Sequence, residues 1–227
     1  MRTLSILAAF RFLISFAACN NAPSGEKAAT GEAVETAPAE TTASAVTFAV
    51  NTNESKVNWI GAKLLGDQHS GFIKLREGAL QVEGGQLVGG SFVIDMNSLE
   101  NTDMNPGEGK EDLEGHLKNN DFFEVETYPT GKFEVTSLAA VEGREDATHT
   151  ITGNLTLKDI TKSITFPAKV SVSDASIEAV TPQFVIDRTQ WNVMYGAGVL
   201  GLAKDKIIKD EVALQINLMA APQQAAN

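Results

Sequence analysis

The sequence predicts an all-β protein whose long strands close into an antiparallel barrel, with one short helical segment. Apolar and polar residues alternate with a period of two in several stretches, such as "KSITFPAKVSV" at residues 162–172, which is typical of strands with one buried face. Turn residues separate these stretches. Since one short helix cannot cover a large sheet, the sheet must close on itself. Consecutive hairpins favour a barrel, and a β-sandwich is the alternative.

The first 19 residues, "MRTLSILAAFRFLISFAAC", have the pattern of a targeting segment. A positive start at Arg2 precedes an apolar run and small residues. "FAAC" resembles the lipobox of bacterial lipoproteins, although Arg11 interrupts the run and Phe16 stands where leucine is usual. Cys19 is the only cysteine, so it cannot form an internal disulfide. We predict a lipoprotein signal peptide, lipidation at Cys19, and a membrane-anchored protein of the cell envelope facing the periplasm. An ordinary signal peptide with a chance cysteine is the alternative.

The rest of the chain divides by composition into three parts. Residues 20–45 are mostly small residues, Glu, Thr and Pro, which predicts a disordered tether. The folded domain is predicted over residues 46–221, and residues 222–227 are predicted to be a flexible tail. The net charge is −11 without a basic stripe, so nucleic acid is not an expected partner.

The elements of the domain follow from spacing. "GKEDLEGHLKNNDFF" at 109–123 predicts the helix, with Leu113 and Leu117 four residues apart. "GKFEV" at 131–135, "HTITGNLTLKD" at 149–159 and "DEVALQINL" at 210–218 alternate like the strand at 162–172.

Small residues share the inward faces of these strands with large ones. Gly61, Gly153 and Ala168 alternate with Trp59, Leu155 and Phe166 respectively. Such residues leave room for a ligand inside a barrel, or they mark bends and close strand contacts. Spacing does not decide between these alternatives.

The sequence gives no catalytic or metal-binding pattern. His69, His116 and His149 are far apart, without the short spacings of a metal site. No G-x-S-x-G motif occurs, and "GAGVLG" at 196–201 leads to no helical pattern that would bind a nucleotide. We therefore expect no metal, no cofactor and no enzyme activity.

Six stretches resemble, in order, the YceI-like family. They are "SKVNWIGAK", "HSGFIKLREGAL", "GGSFVIDMNSL", "HLKNNDFFEVETYPTGKFEV", "ITGNLTLKDITKSITFPAKV" and "FVIDRTQWNVMYG". The resemblance implies an extended lipocalin-like barrel whose apolar cavity holds an isoprenoid quinone or a polyprenyl lipid. It also implies a secreted or periplasmic protein, often a homodimer, without established catalytic residues. One departure concerns Gln190 and Asn192, which replace an acid and a glycine and put the local turn in doubt.

The inward faces and the resemblance together nominate the cavity wall. The predicted wall residues are Trp59, Phe72, Phe92, Phe122, Phe123, Phe133, Gly153, Leu155, Phe166, Ala168, Phe184 and Trp191. His116 is expected to hydrogen-bond locally, and Asp187 and Arg188 to make structural hydrogen bonds; a contact with the ligand is the alternative for each. The predicted function is non-catalytic binding, and with it transport or storage, of an isoprenoid lipid. A structural envelope lipoprotein with a filled barrel and an unrecognised lipid- or quinone-modifying enzyme are the alternatives.

Overall fold

The computed structural model describes residues 23–35, 45–198 and 203–223. These residues form thirteen strands, one α-helix and three short 3-10 helices, so the all-β prediction with one short helix is confirmed. The strands are β1 (Glu26–Lys27), β2 (Ala29–Glu32), β3 (Val46–Val50), β4 (Lys56–Ala62), β5 (Gln68–Glu83), β6 (Gln86–Asp95), β7 (Glu100–Asn101), β8 (Thr130–Ala140), β9 (His149–Leu157), β10 (Ile160–Val172), β11 (Ile177–Val180), β12 (Phe184–Asp187) and β13 (Glu211–Pro222). The α-helix, α1, spans Lys110–Lys118, and the 3-10 helices span Met96–Ser98, Arg188–Trp191 and Lys204–Lys206.

The strands close into a ring of antiparallel pairs. The order β3–β5–β6–β8–β9–β10–β11–β13 returns to β3, because β13 also pairs with that strand. β4 lies end to end with β3 between β5 and β13, so these two strands share one position in the wall. β11 and β12 share the next position along β13 in the same way. Closure of the ring through the β13–β3 pair confirms the lipocalin-like barrel over the sandwich.

An N-terminal segment completes the wall between β12 and β10. β1 pairs in parallel with β12, and β2 pairs antiparallel with β10. Ala28 between them is buried in the core. The backbone N–H of Val34 donates to Asn154 Oδ1 at 2.9 Å, and Asn154 Nδ2 donates to the carbonyl of Val34 at 2.7 Å. Backbone pairing needs no large side chains, so a polar segment can add to an exposed strand edge.

Two predicted boundaries are therefore wrong in part. The tether predicted at 20–45 is ordered over residues 23–35, while residues 36–44 lie outside the described residues. The tail predicted from residue 222 is paired at its start, because the backbone N–H of Gln223 donates to the carbonyl of Thr47 at 2.9 Å. The signal segment with Cys19 also lies outside the described residues.

An aromatic cluster, Phe92, Phe133, Phe166 and Phe184, fills the barrel interior at its middle. The ring centroids of Phe92 and Phe133 are 5.4 Å apart, and those of Phe133 and Phe166 are 5.5 Å apart. Phe166 stacks on Phe184 at 4.5 Å with an interplanar angle of 5°. All four side chains are buried. This cluster supplies a large part of the core, since each aromatic ring buries on the order of 150–250 Å².

Helix α1 lies at one end of the barrel, within the stretch that the sequence predicts to be helical. The following turn is held by His116, whose Nε2 lies 2.9 Å from Asp121 Oδ2. This contact confirms the expected local hydrogen bond. Within the described part of the chain, no helix has both the length and the apolar character that crossing a membrane requires.

Candidate ligand-binding cavity

A cavity of about 440 Å³ lies inside the barrel at the end where α1 packs. This volume is within the range of small-molecule sites, roughly 300–1,000 Å³. Its deep wall comes from inward residues of β4, β5, β6, β9, β12 and β13, and its mouth from α1 and the segments that connect strands. The lining residues are Val57, Trp59, Gly61, Ala62, Lys63, Asp67, His69, Ile73, Ile94, Met96, Leu99, Leu113, His116, Leu117, Phe122, Phe123, Leu155, Leu157, Ile186, Arg188, Val193, Tyr195, Asp205, Lys206, Ile208, Val212 and Leu214.

The deep wall is apolar because the period of two places every second residue of each strand inside. Val57 and Trp59 alternate along β4, and Val212 and Leu214 alternate along β13. The Nε1–H of Trp59 is buried and has no hydrogen-bond partner in the described part of the chain. An apolar wall of this kind attracts an apolar ligand through the hydrophobic effect.

Polar residues of the wall lie at the mouth, and one of them, His69, is held by a neighbouring carboxylate. His69 Nδ1 lies 2.9 Å from Asp103 Oδ2. Burial raises the pKa of Asp103, but hydrogen bonds from the Ser70 backbone, His69 and Asn101 outweigh it and hold this pKa below its ordinary value. These contacts fix the β4–β5 hairpin against the segment that leads into α1.

Three rings pack together at the helical side of the mouth. The His116 ring meets Phe122 edge-on at 5.1 Å and Tyr195 edge-on at 4.6 Å. Phe122 and Tyr195 are 5.2 Å apart. Because His116 also bonds Asp121, the helix, the turn after it and the segment after β12 form one connected rim.

Arg188 fastens the segment after β12 to the barrel. Its Nε donates to the carbonyl of Lys209 at 3.1 Å and its Nη2 to the carbonyl of Ile208 at 3.2 Å, while its Nη1 donates to the carbonyl of Val193. Burial lowers the pKa of Arg188, with nearby carboxylates opposing this effect. Asp187 accepts from the backbone N–H of Thr189 at 2.9 Å. The structural hydrogen bonds expected of Asp187 and Arg188 are confirmed.

The departure at Gln190 and Asn192 leaves the local turn intact. Asn192 ends the 3-10 helix with φ of 56°, in the left-handed region. Asparagine tolerates this region better than most residues, as glycine does. The substitution for glycine is therefore accommodated here.

The structure places four of the predicted wall residues on the cavity wall. They are Trp59, Phe122, Phe123 and Leu155. Trp191 lies beside the cavity, fully buried, and its Nε1 donates to the carbonyl of Leu155 at 3.0 Å. Trp191 thus bonds the backbone of a wall residue. It was predicted to line the cavity, and it does not.

The other nominated residues lie elsewhere. Phe72 faces outward, because its ring lies under Lys56 Nζ at 5.3 Å while Ile73 next to it lines the cavity. Phe92, Phe133, Phe166 and Phe184 form the aromatic cluster, and Ala168 is buried outside the wall. Alternation places the aromatic cluster and Ala168 on the inner face, but it does not give the depth at which the interior is open. Phe72 has apolar neighbours on both faces, so alternation does not assign its face.

Inward small residues were expected either to leave room for a ligand or to mark bends and close strand contacts. Gly153 and Gly61 differ in this respect. A Cβ on Gly153 would lie 2.3 Å from Phe133 Cζ, so that glycine admits a ring of the cluster. A Cβ on Gly61 would meet nothing within 4 Å, and Gly61 lines the cavity. Close contact explains the first glycine, and room for a ligand the second.

Sequence reasoning missed the residues that shape the mouth. Val193, Tyr195 and Ile208 come from the stretch around "GAGVLG", whose residues 199–202 lie outside the described residues. The apolar residues that flank this glycine-rich motif were the available signal. Across the described ranges, no group of three or more His, Cys, Asp or Glu side chains could hold a metal ion.

Two solved structures share the fold at low sequence identity. BcnA from Burkholderia cenocepacia matches with a TM-score of 0.52 and 22% identity, over 76% of this chain and 99% of that one. A polyisoprenoid binding domain from Saccharophagus degradans, implicated in plant cell wall breakdown, matches with a TM-score of 0.56 and 16% identity, over 78% of this chain and 99% of that one. No curated protein matches the chain in sequence.

The family follows from the sequence itself. Residues 34–220 match the YceI-like domain, which is most of the chain; β1 and β2 lie before the start of the match. This match extends the family resemblance of the six ordered stretches over the barrel from β3 into β13. The protein belongs to the YceI-like family.

Proposed function

We propose that the protein binds an isoprenoid lipid in the cavity without changing it chemically, and so serves its transport or storage in the cell envelope. The observation that carries this proposal is the apolar cavity of about 440 Å³ inside a closed YceI-like barrel. The solved polyisoprenoid binding domain with the same fold supports the choice of ligand class.

The distribution of polar groups orients the ligand. The deep wall around Val57, Ile73 and Leu214 suits an isoprenoid tail, which gains roughly 25 cal/mol for each Å² of apolar area that it buries. A polar head group would lose its hydrogen bonds to water there, at a cost of about 1–3 kcal/mol or more. The head group therefore lies at the mouth, near His69 and Lys206. An isoprenoid quinone or a polyprenyl lipid has oxygens that such donors can bind.

Binding without catalysis is supported by the state of the polar wall residues. His69 and His116 each pair with a carboxylate, and Arg188 is bonded to backbone carbonyls. These groups stabilise the rim of the mouth. Incubation of the pure protein with an isoprenoid quinone, followed by mass spectrometry, should recover the quinone unchanged, and a product of different mass would contradict this part of the proposal.

Filling the cavity at Gly61 tests the proposal directly. Gly61→Phe places a ring where a Cβ meets nothing within 4 Å, so the barrel should fold while the lipid is excluded. Gly31→Phe is the matched control, since Gly31 is an exposed strand glycine with equally open surroundings. Mass spectrometry of co-purified lipid should show a loss of about tenfold or more for Gly61→Phe alone. Equal amounts of isoprenoid in both variants, or none in wild type, would contradict the proposal.

We further propose that the mature protein is a lipoprotein anchored through Cys19 and facing the periplasm. The lipobox-like sequence before this single cysteine supports the proposal. Each buried methylene of an attached acyl chain contributes about 0.8 kcal/mol to membrane binding. Wild type should sediment with membranes, and Cys19→Ser should be released or remain unprocessed; a wholly soluble wild type would rule out the anchor. The homodimer that the resemblance implies is tested by sedimentation velocity, where a purely monomeric mature domain would reject it.

A further inference from the structure

Exposed apolar side chains gather around the mouth of the cavity. Within the described ranges, seven large apolar or aromatic side chains are exposed, and four of them are Leu64, Leu65, Met194 and Tyr195. The first two lie in the turn between β4 and β5, and the other two follow the 3-10 helix that comes after β12. A single exposed apolar residue is ordinary, whereas a group of them marks an interaction site with a protein or a membrane.

Backbone hydrogen bonds hold these segments together as one surface. The N–H of Leu64 donates to the carbonyl of Ile207 at 2.8 Å, and the N–H of Ile208 donates to the carbonyl of Gly196 at 2.8 Å. The turn after β4, the segment after β12 and the segment before β13 are therefore joined side by side. We call this rim the mouth surface, and it consists of residues 63–68, 193–198 and 203–208.

The mouth surface continues directly into the cavity. Tyr195 and Lys206 are exposed and also line the cavity wall. Leu64, Leu65 and Met194 are exposed but do not belong to that wall. A ligand inside the cavity therefore does not cover these three side chains, and an external partner is needed to remove them from water.

Lysines accompany the apolar side chains of the mouth surface. It carries Lys63, Lys204 and Lys206 against Asp67 and Asp205, an excess of one positive charge (three minus two) on a chain of net charge −11. A lysine can rest its apolar stem on acyl chains while its ammonium group reaches lipid phosphates. Tyrosine is enriched where bilayers meet water. Protein interfaces, in contrast, are depleted in lysine, so this composition favours a membrane over a protein partner.

We propose that the mouth surface docks on a bilayer that contains anionic phospholipids, with Leu64, Leu65 and Met194 inserted at the boundary between head groups and acyl chains. Docking joins the apolar interior of the bilayer to the apolar cavity wall. An isoprenoid lipid then passes between them without exposing its tail to water, an exposure whose cost grows with the apolar area of the tail. The inference goes beyond the proposed function, because it assigns a partner surface and not a ligand.

Fluorescent labels at the two ends of the barrel measure this contact. Leu65→Cys at the mouth and Val88→Cys beyond the β5–β6 turn, at the opposite end, are labelled with bimane in the full chain. Val88 is the matched site, since it is 47% exposed and Leu65 is 56% exposed. The vesicles contain phosphatidylglycerol and phosphatidylcholine with brominated acyl chains, which quench a nearby label. Quenching should be about threefold or more stronger for the label at position 65. Wild type treated in the same way reports any label on Cys19.

Paired serine substitutions identify the side chains that make the contact. In the protein labelled at position 65, Leu64→Ser with Met194→Ser should lower the equilibrium constant of docking about tenfold, read as a loss of quenching. Val46→Ser with Val88→Ser is the matched control, because it removes two exposed apolar side chains at the opposite end and should leave the quenching unchanged. Added salt and vesicles of phosphatidylcholine alone should each reduce the quenching, since the lysines are attracted to anionic head groups. Circular dichroism confirms that each variant is folded.

The outcomes separate this inference from the proposed function. Equal quenching at positions 65 and 88, or an unquenched label at position 65, overturns the docking. In the second case, a dimer in sedimentation velocity that Leu64→Ser with Met194→Ser abolishes would assign the mouth surface to a second copy of the chain. Equal quenching in the two pairs of serine variants also overturns the docking through these side chains. Isoprenoid that still co-purifies leaves the proposed function intact in all these cases, whereas quenching at position 65 in a protein that never carries isoprenoid supports the docking and contradicts the proposed function.

Discussion

Arg188→Met should destabilise the protein by about 2–4 kcal/mol, because it removes the group that ties three carbonyls together. The side chain is 5% exposed and donates to the carbonyls of Val193, Ile208 and Lys209. The bond to Val193 is buried, and its carbonyl left without a partner costs about 1–3 kcal/mol, while the two part-buried carbonyls add less. Removal of a buried charge recovers part of this cost, since desolvation opposes charge here and lowers the pKa of Arg188. Methionine keeps most of the apolar stem, so lost packing adds little.

The measurement is urea unfolding, followed by limited proteolysis under native conditions. Residues 193–198 and 203–209 should become new cleavage sites, because Arg188 bonds the carbonyls of Val193 and Lys209. Arg144→Met is the matched control: Arg144 also makes three hydrogen bonds, to Asp146 and Glu26, but it is exposed. Exposed pairs are screened by water, so its unfolding midpoint should stay at the wild-type value. Equal midpoints and equal cleavage in the two variants would refute the role assigned to Arg188.

Two further predictions concern the wall and the mouth. The chain has two tryptophans, of which Trp59 lines the cavity and Trp191 does not. Lipid titration should therefore change the fluorescence of Trp191→Phe, in which Trp59 is the remaining tryptophan. An equal response from Trp59→Phe would contradict this placement. Asp103→Asn should lower the free energy of unfolding near neutral pH, because the folded-state pKa of Asp103 lies below its ordinary value of 3.8. The fold thus stabilises the deprotonated form of Asp103. The difference in unfolding free energy between Asp103→Asn and wild type should vanish as the pH falls below 3.8 through the lowered pKa. A difference that persists in acid would show that the charge is not the cause.

The barrel could be predicted because alternation is a local property of the sequence, and closure follows from a one-sided sheet with too little helix to cover it. The strand at 162–172 buries Ile164, Phe166 and Ala168 as its period requires. The helix was predicted from Leu113 and Leu117, and both residues line the cavity. These features depend on which face of an element is apolar, and this face can be identified from spacing alone.

The N-terminal strands could not be predicted, because their stabilisation does not come from side-chain burial. Ala29–Glu32 has no large apolar residue, and all four positions are exposed. Its pairing depends on the open edge of β10, which forms only when the rest of the barrel is folded. Composition therefore indicated disorder, whereas a backbone edge elsewhere in the chain supplies the partner.

Depth within the barrel was the missing information about the site. Leu155 and Gly153 are neighbours on the inner face of β9, yet one lines the cavity and the other packs under a phenylalanine ring. Their difference is set by Phe133 on the adjacent strand, which reaches over the glycine. A cross-strand contact of this kind needs the register, and the period of two does not contain it.

The two halves of the barrel interior have complementary energetic roles. An empty apolar cavity forfeits the dispersion contacts that a filled core would make, so an open half lowers the stability of the fold. The filled half offsets this loss through the interlocked rings of Phe133, Phe166 and Phe184. At the open end, the pairs of His69 with Asp103 and of His116 with Asp121, together with Arg188, hold the rim by polar contacts that leave the interior free. A bound apolar tail would restore the missing contacts, so the ligand should raise the melting temperature of wild type and have no such effect on Gly61→Phe.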